Sequence, residues 1–337
     1  MAFVAGDFSE SELVETILKA DAMWSDAMLN ADYIAETGVL DAIRAEQTAN
    51  LKLLEDPEKD RDVRVTWLGT CNNTVRTITN NECTIGGAEI SSDSKTYSMA
   101  TRKAYDFTVD ETVWRTNNHS MSEAVAVSFL LADKALTDEV SQAMVAFIET
   151  SKGENQVNDG IGTVNVVSGD TDIAAANWNE RMFAYLYRIA KQNKFTNPFL
   201  LSGTNLFEDQ FIAEAMVGNS DGKGALALFR SMRKYFDLFN IDTVNSPDLK
   251  TYMINRGTLA FASKNYYNPE PVVYKSQDRY SIQSRNMPGV TYDVYYTNRC
   301  VGNTMKHDFS VHLKYGLYLN PVGCTADRTG IIAFNKV

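Results

Sequence analysis

The apolar positions of this chain change period several times, and each change marks an element. Leu13, Ile17, Ala20, Trp24, Ala27 and Met28 recur at helical spacing behind a Ser9/Glu12 capping-box pattern. That predicts helix over 9–54, with a break near Gly38 and a second helix from Leu40 to about Leu54, closed by Pro57 and the charged stretch Glu55–Asp62. From Val63 the period drops to two. Val63, Val65 and Trp67 alternate with polar residues, and Tyr97, Met99, Tyr105, Phe107 and Val109 again read as extended chain. Between them Thr70–Ser98 is rich in Thr, Asn, Ser and Gly. Two extended segments around so long a polar excursion predict a protruding β-hairpin or loop.

The strongest periodicity runs over 120–152. Ser120 and Glu123 form a second capping-box pattern, and Val125, Phe129, Ala132, Leu136, Val140, Met144 and Phe147 follow at steps of three and four until Gly153. About thirty residues at 1.5 Å each make a helix of ~45 Å, long enough to act as a spine between distant parts. After Gly153–Gly169, Asp172 is placed to cap a helix through Met182, Tyr185, Leu186 and Ile189. A short strand follows at Pro198–Ser202, then helices at Leu206–Met216 and Gly224–Phe239. From Tyr252 the pattern becomes β: Gly257–Ala262, Val272–Tyr274, Tyr292–Tyr296, Phe309–Leu319 and Gly330–Phe334. Phe309, Val311, Leu313, Tyr315, Leu317 and Leu319 alternate over a strand longer than most. The sum is an α+β chain without a fixed-period repeat.

Composition narrows the classes. With 337 residues, 44% hydrophobic and 22% charged, the chain has the make-up of a folded protein, not a disordered one. Its 19 Gly, 7 Pro and 4 Cys are too few for a collagen-like or disulfide-stapled fold. No run of eighteen apolar residues occurs and Met1–Glu10 lacks a basic-then-apolar leader pattern, so folding in the cytoplasm is expected, with Cys71, Cys83, Cys300 and Cys324 as free thiols. The formal net charge is −11, and it is unevenly placed. Residues 1–62 hold fifteen acidic and five basic residues, against 28 and 27 in the rest. A basic nucleic-acid-binding face is not indicated.

Candidate chemistry is thin. There is no phosphate-binding glycine loop and no nucleophile elbow. Neither cysteine pair has metal-finger spacing, and the three histidines, His119, His307 and His312, are scattered; His312 falls opposite the apolar side of its strand. Asp106, Asp110 and Glu111 cluster before the long helix and leave a carboxylate-dependent hydrolase as an alternative. The tyrosine-rich stretches Tyr266–Tyr267, Tyr292–Tyr296 and Tyr315–Tyr318 suit either contact surfaces or core.

The order of parts carries more than any motif. Thr258–Ala262, Asp293 to Asn298, the run His307–Pro321 and Gly330–Phe334 look like a set of closing strands, and Lys191–Phe207 like a helix–strand–helix step. Together with the arm, the excursion and the long helix, this resembles the major capsid proteins of tailed bacteriophages, the Hong Kong 97-type capsid fold, from about residue 40 to the end. The resemblance implies an N-terminal arm (1–62, helical and acidic), a peripheral-domain strand with an extended β-hairpin or E-loop (63–118), and the spine helix of the peripheral domain (119–153). It further implies an axial domain (154–265), then late peripheral-domain strands with a final axial-domain strand (266–337).

The implied function is structural: self-assembly into an icosahedral shell around a phage genome, with no enzyme activity and no catalytic, cofactor-binding or metal residues. The implied partners are copies of the chain in hexamers and pentamers, portal, scaffolding and decoration proteins, and packaged double-stranded DNA touched non-specifically, with no membrane. The implied location is the virion, after assembly in the host cytoplasm. Some relatives cross-link an E-loop lysine to a neighbour's asparagine; Lys95 and Lys103 lie in the matching stretch, but no asparagine or assisting acid can be matched. An encapsulin-like shell protein and a tail or adhesin protein are the remaining alternatives.

Overall fold

The computed structural model describes residues 16, 19, 22, 33–48, 54–55, 62–68, 92–115, 120–155, 161–178, 180–208, 232–265, 278–320 and 329–337. They form helix α1 (Gly38–Glu46), strands β1 (Val63–Leu68), β2 (Ser92–Tyr97) and β3 (Thr101–Asp110), and helices α2 (Glu111–Arg115) and α3 (Met121–Ser151). Next come β4 (Gly162–Val164), β5 (Thr171–Ile173), α4 (Glu180–Gln192), β6 (Pro198–Ser202), β7 (Arg233–Phe236) and α5 (Leu238–Asn245). The chain closes with β8 (Leu249–Asn255), β9 (Leu259–Lys264), β10 (Asp278–Gln283), β11 (Thr291–Val301), β12 (Thr304–Leu319) and β13 (Ile331–Lys336).

The strands make three sheets: a two-stranded ribbon β1–β2, a five-stranded sheet in the order β10-β11-β12-β3 with β9 also on β12, and a six-stranded sheet β4-β5-β13-β8-β6-β7. The six-stranded sheet is buried on both faces. Phe199, Leu201, Tyr252, Ile254, Ile331 and Ala333 point into the core shared with α3, while Leu200, Met253, Ile332 and Phe334 point into a second core under α4. Two covered faces explain why these short strands read as unbroken apolar runs. The five-stranded sheet is covered by α3 on one face. Phe309, Val311, Leu313 and Tyr315 enter that core, while Ser310 and His312 take the other side.

The long helix has 31 residues, about 46 Å. Ser120 Oγ accepts from Glu123 N at 3.2 Å and Glu123 Oε2 from Ser120 N at 3.0 Å, so the expected capping box is present. Of its seven periodic positions, six are buried, and Phe147 packs against the same core.

Four local expectations are corrected. The helix expected over Leu40–Leu54 runs over Gly38–Glu46, and Gly38 is its first residue rather than a break. A Cβ there would lie 1.9 Å from Phe236 O, so close packing selects the glycine. Asp172 caps no helix. It sits in β5, which pairs in parallel with β13, and the helix starts at Glu180. Residues 233–236 of the expected Gly224–Phe239 helix form β7, drawn into parallel pairing with β6. The extended stretch Tyr97–Val109 divides, because β2 pairs with β1 while β3 pairs with β12. In the Leu206–Met216 helix, residues 204–208 are helical. The remainder of that helix, residues 224–231, Val272–Tyr274, Tyr266–Tyr267, most of the predicted arm helix and the tip of the excursion lie outside the described residues.

Candidate assembly surfaces

The ribbon is set apart from the body by its pairing. β1 and β2 run antiparallel in register from Val63↔Tyr97 to Leu68↔Ser92, and among the described residues neither joins another sheet. Arg64, Ser94, Lys95 and Thr96 are exposed. The ribbon's base is fastened. Tyr97 Oη donates to Asn320 Oδ1 at 2.9 Å, Lys95 Nζ to Leu319 O at 3.0 Å, and Tyr318 Oη to Ser98 O at 3.2 Å. Tyr97 and Tyr318 meet edge to face at 5.1 Å within a small core that includes Leu54, Met99, Ala260 and Ala262. Burial pushes the Tyr318 phenol up to about 12. The base of the ribbon is thus fastened to the body, and residues 69–91 connect Leu68 to Ser92.

A second feature is a strap, residues 33–48, which the sequence placed in the N-terminal arm. It lies on the chain's own body. Ala35 N donates to Asn286 Oδ1 at 2.9 Å, Arg44 Nη1 to Pro288 O at 2.6 Å, and Phe261 N to Gln47 Oε1 at 3.2 Å. The buried Glu46 carboxylate accepts from Arg233 Nη1 at 2.6 Å and Tyr235 Oη at 3.0 Å, with Arg256 Nε at 3.5 Å. Since β7 belongs to the six-stranded sheet and β9 to the five-stranded one, the strap braces both. Further out, Lys19 Nζ donates to Ser122 Oγ at the start of α3.

The residues singled out for chemistry are dispersed. Asp106 lies on the solvent side of β3 and accepts from Ser310 Oγ; Asp110 pairs with Lys306 at 3.7 Å and accepts from Thr112 N; Glu111 begins α2. They lie along the edge of a sheet face rather than around a cavity. His307 is buried, with Nδ1 2.7 Å from Tyr296 Oη, whereas His312 is half-buried on the opposite face, 2.8 Å from Ser310 Oγ. Burial lowers the His312 pKa, against the pull of Asp106 and Asp293. Lys103 pairs with Glu139 of α3, not with the ribbon. Cys300 is an exposed free thiol in β11, next to the β11–β12 turn; His119, Cys71, Cys83 and Cys324 lie outside the described residues. No cluster of three metal-ligating side chains occurs among the described residues. Tyr292, Tyr296, Tyr315 and Tyr318 belong to the chain's own cores.

Among the buried carboxylates that the sequence did not mark, two organise their surroundings. Asp133, on α3, accepts from Ser284 Oγ, Arg285 N, Asn286 N and Nδ2, and Tyr292 Oη, fixing the 284–290 turn against the long helix. Burial first, then Asp133, drives the Tyr292 phenol well above its ordinary range. The cleft beside it is lined by Phe129, Leu130, Ile282 and Val311 together with Asp133, Gln283, Arg285 and Tyr292. Asp237, at the start of α5, is the other. A polar residue in a helical apolar pattern was the available signal for Asp133; Asp237 had none.

No family model and no curated protein matches the chain. Solved structures do resemble it. These include one described as Mycobacterium phage Che8 (11% identity, TM-score 0.49, covering 85% of this chain and 88% of that one). Another is a cyanophage A-1(L) capsid asymmetric unit (12%, 0.47, 85% and 92%). A third is a capsid of Ralstonia phage GP4 (8%, 0.43, 83% and 85%).

Proposed function

We propose that this chain is a major capsid subunit of the Hong Kong 97 type, which tiles copies of itself into a closed shell around a phage genome. The observation that carries the reading is the β1–β2 ribbon: a hairpin fastened at its base and, among the described residues, paired with no other sheet of its own body. A lattice needs subunits that overlap, and a limb of this kind is suited to reach a neighbour. On this reading the five-stranded sheet with α3 is the peripheral domain and the six-stranded sheet the axial domain. β9 then goes with the peripheral sheet, because it pairs with β12. Portal, scaffolding and decoration proteins, and packaged double-stranded DNA, are the further partners, and the virion is the place of residence after assembly in the host cytoplasm.

The test is electron microscopy and sedimentation of the purified chain beside a variant in which residues 69–91 are replaced by Asn-Gly. Closed shells from the parent, and a folded but unassembled variant with an unchanged circular dichroism spectrum, are expected. Rings or fibres from the parent would make it a tail component. A parent that stays monomeric at every concentration, with or without a scaffold, would overturn the proposal.

A further inference from the structure

The N-terminal half of the strap is held by carboxylates facing neutral amides. Glu36, from the strap, accepts from Leu238 N at 2.7 Å and Phe239 N at 2.6 Å in the first turn of α5. Asp237, from the body, accepts from Asn240 N at 2.9 Å, from Asn240 Nδ2 at 3.1 Å, and from Val39 N at 3.0 Å in the first turn of α1. Each side lends a carboxylate to the other's helix start. Asn240 Nδ2 also reaches Glu36 O at 3.0 Å, so both acids share one knot.

Asp237 is fully buried and Glu36 half-buried. Among the described residues, Glu36 is a charged group that acts on Asp237. Of the charged side chains on α1, β7 and α5, Asp41 turns to Thr37, Arg44 to Pro288 O, Arg233 to Glu46 and Asp242 to Thr204, while Lys234 lies on β7, three residues before Asp237. The helix starts favour anions, yet two like charges, one of them out of water, oppose each other across the joint.

We propose that the strap is an acid-tightened latch: the Glu36–Asp237 pair holds residues 33–47 to the body loosely while both acids are ionised, and firmly once Asp237 takes up a proton. The sign follows from linkage. Burial, with Glu36 adding to it, raises the Asp237 carboxyl from 3.8 to about 6. Between those values the folded chain holds a proton that the unfolded chain has released. The hold therefore strengthens as pH falls through that window and is weakest above it. The latch does not require that the chain form shells.

The experiment is amide hydrogen exchange on the full chain, kept dilute enough to remain a single subunit, at pH 7.5 and 5 after correction for intrinsic rates. Protection of Val39, Leu238, Phe239 and Asn240 is expected to rise on the order of tenfold on acidification, relative to reference amides at Val311 and Leu313. In Asp237→Asn that relative rise is lost. Should this variant fail to fold, Glu36→Gln, at the less buried acid, takes its place and shrinks the rise. Strap protection that stays level with the reference amides or falls below them, or a rise that survives in the folded variant, overturns the latch.

Discussion

Asp133 shows how much one side chain can organise. Five donors from the 284–292 segment converge on its carboxylate inside the main core. Truncation to alanine would leave those donors buried without an acceptor, so Asp133→Ala is expected to cost about 3 kcal/mol or more, with Asp133→Asn milder, as read by urea denaturation. Gly38 shows the opposite constraint. There the backbone of Phe236 occupies the place of a side chain, and Gly38→Ala should lower stability by about 2 kcal/mol and selectively loosen the strap. Neither effect follows from local sequence. A lone aspartate among apolar residues and a glycine after threonine have many local explanations, and the partners that decide lie about 150 to 200 residues away.

Helix α3 joins both sheets, and its C-terminal end is where the six-stranded sheet is fastened. Lys250 Nζ donates to Glu149 Oε1 at 2.6 Å and to Asp170 Oδ2 at 3.1 Å, Lys152 bridges the same two acids, and Tyr252 Oη donates to Glu149 Oε2 at 2.8 Å. Burial alone would push the Glu149 carboxyl up, but Lys152, Lys250 and Tyr252 together hold it below its ordinary value. A depressed acid contributes stability above its unfolded pKa and loses it as pH falls through the folded one. Glu149→Gln should therefore cost about 2 kcal/mol at pH 7 and much less near pH 3, measured by denaturant melts at both values. At the other end, Ser120→Ala removes half the capping box and should cost about 1 kcal/mol. Asp237 and Glu149 thus respond to acid in opposite directions, one tightening the strap and the other releasing the helix end.

For the whole molecule, charge and shape work together. The body is nearly neutral and the first 62 residues carry the net negative charge. If the chain lines a DNA-filled shell, acids on the inner segment keep non-specific binding weak. Replacing Asp21, Asp26 and Asp32 by asparagine should then raise the nucleic acid retained by purified shells at low salt, as measured by the ratio of absorbance at 260 to 280 nm. Unchanged retention would count against an inward-facing segment. The strap limits how much of that segment can be a free arm, since residues 33–48 are already spent bracing the chain's own sheets.

Local pattern by itself determined the long helix with its capping box, the alternation of the sixteen-residue strand β12, and the α+β class. Each of these is written in period and capping, which act over a few residues. Tertiary structure alone decided the rest. Asp172 and residues 233–236 became strands because distant β13 and β6 offered them parallel partners. Residues 33–48 became a brace because buried acids at Glu46 and Asp237 found donors far along the chain. Hydrogen-bond partners in a sheet and counter-donors for a buried charge are long-range by nature, and no local period records them.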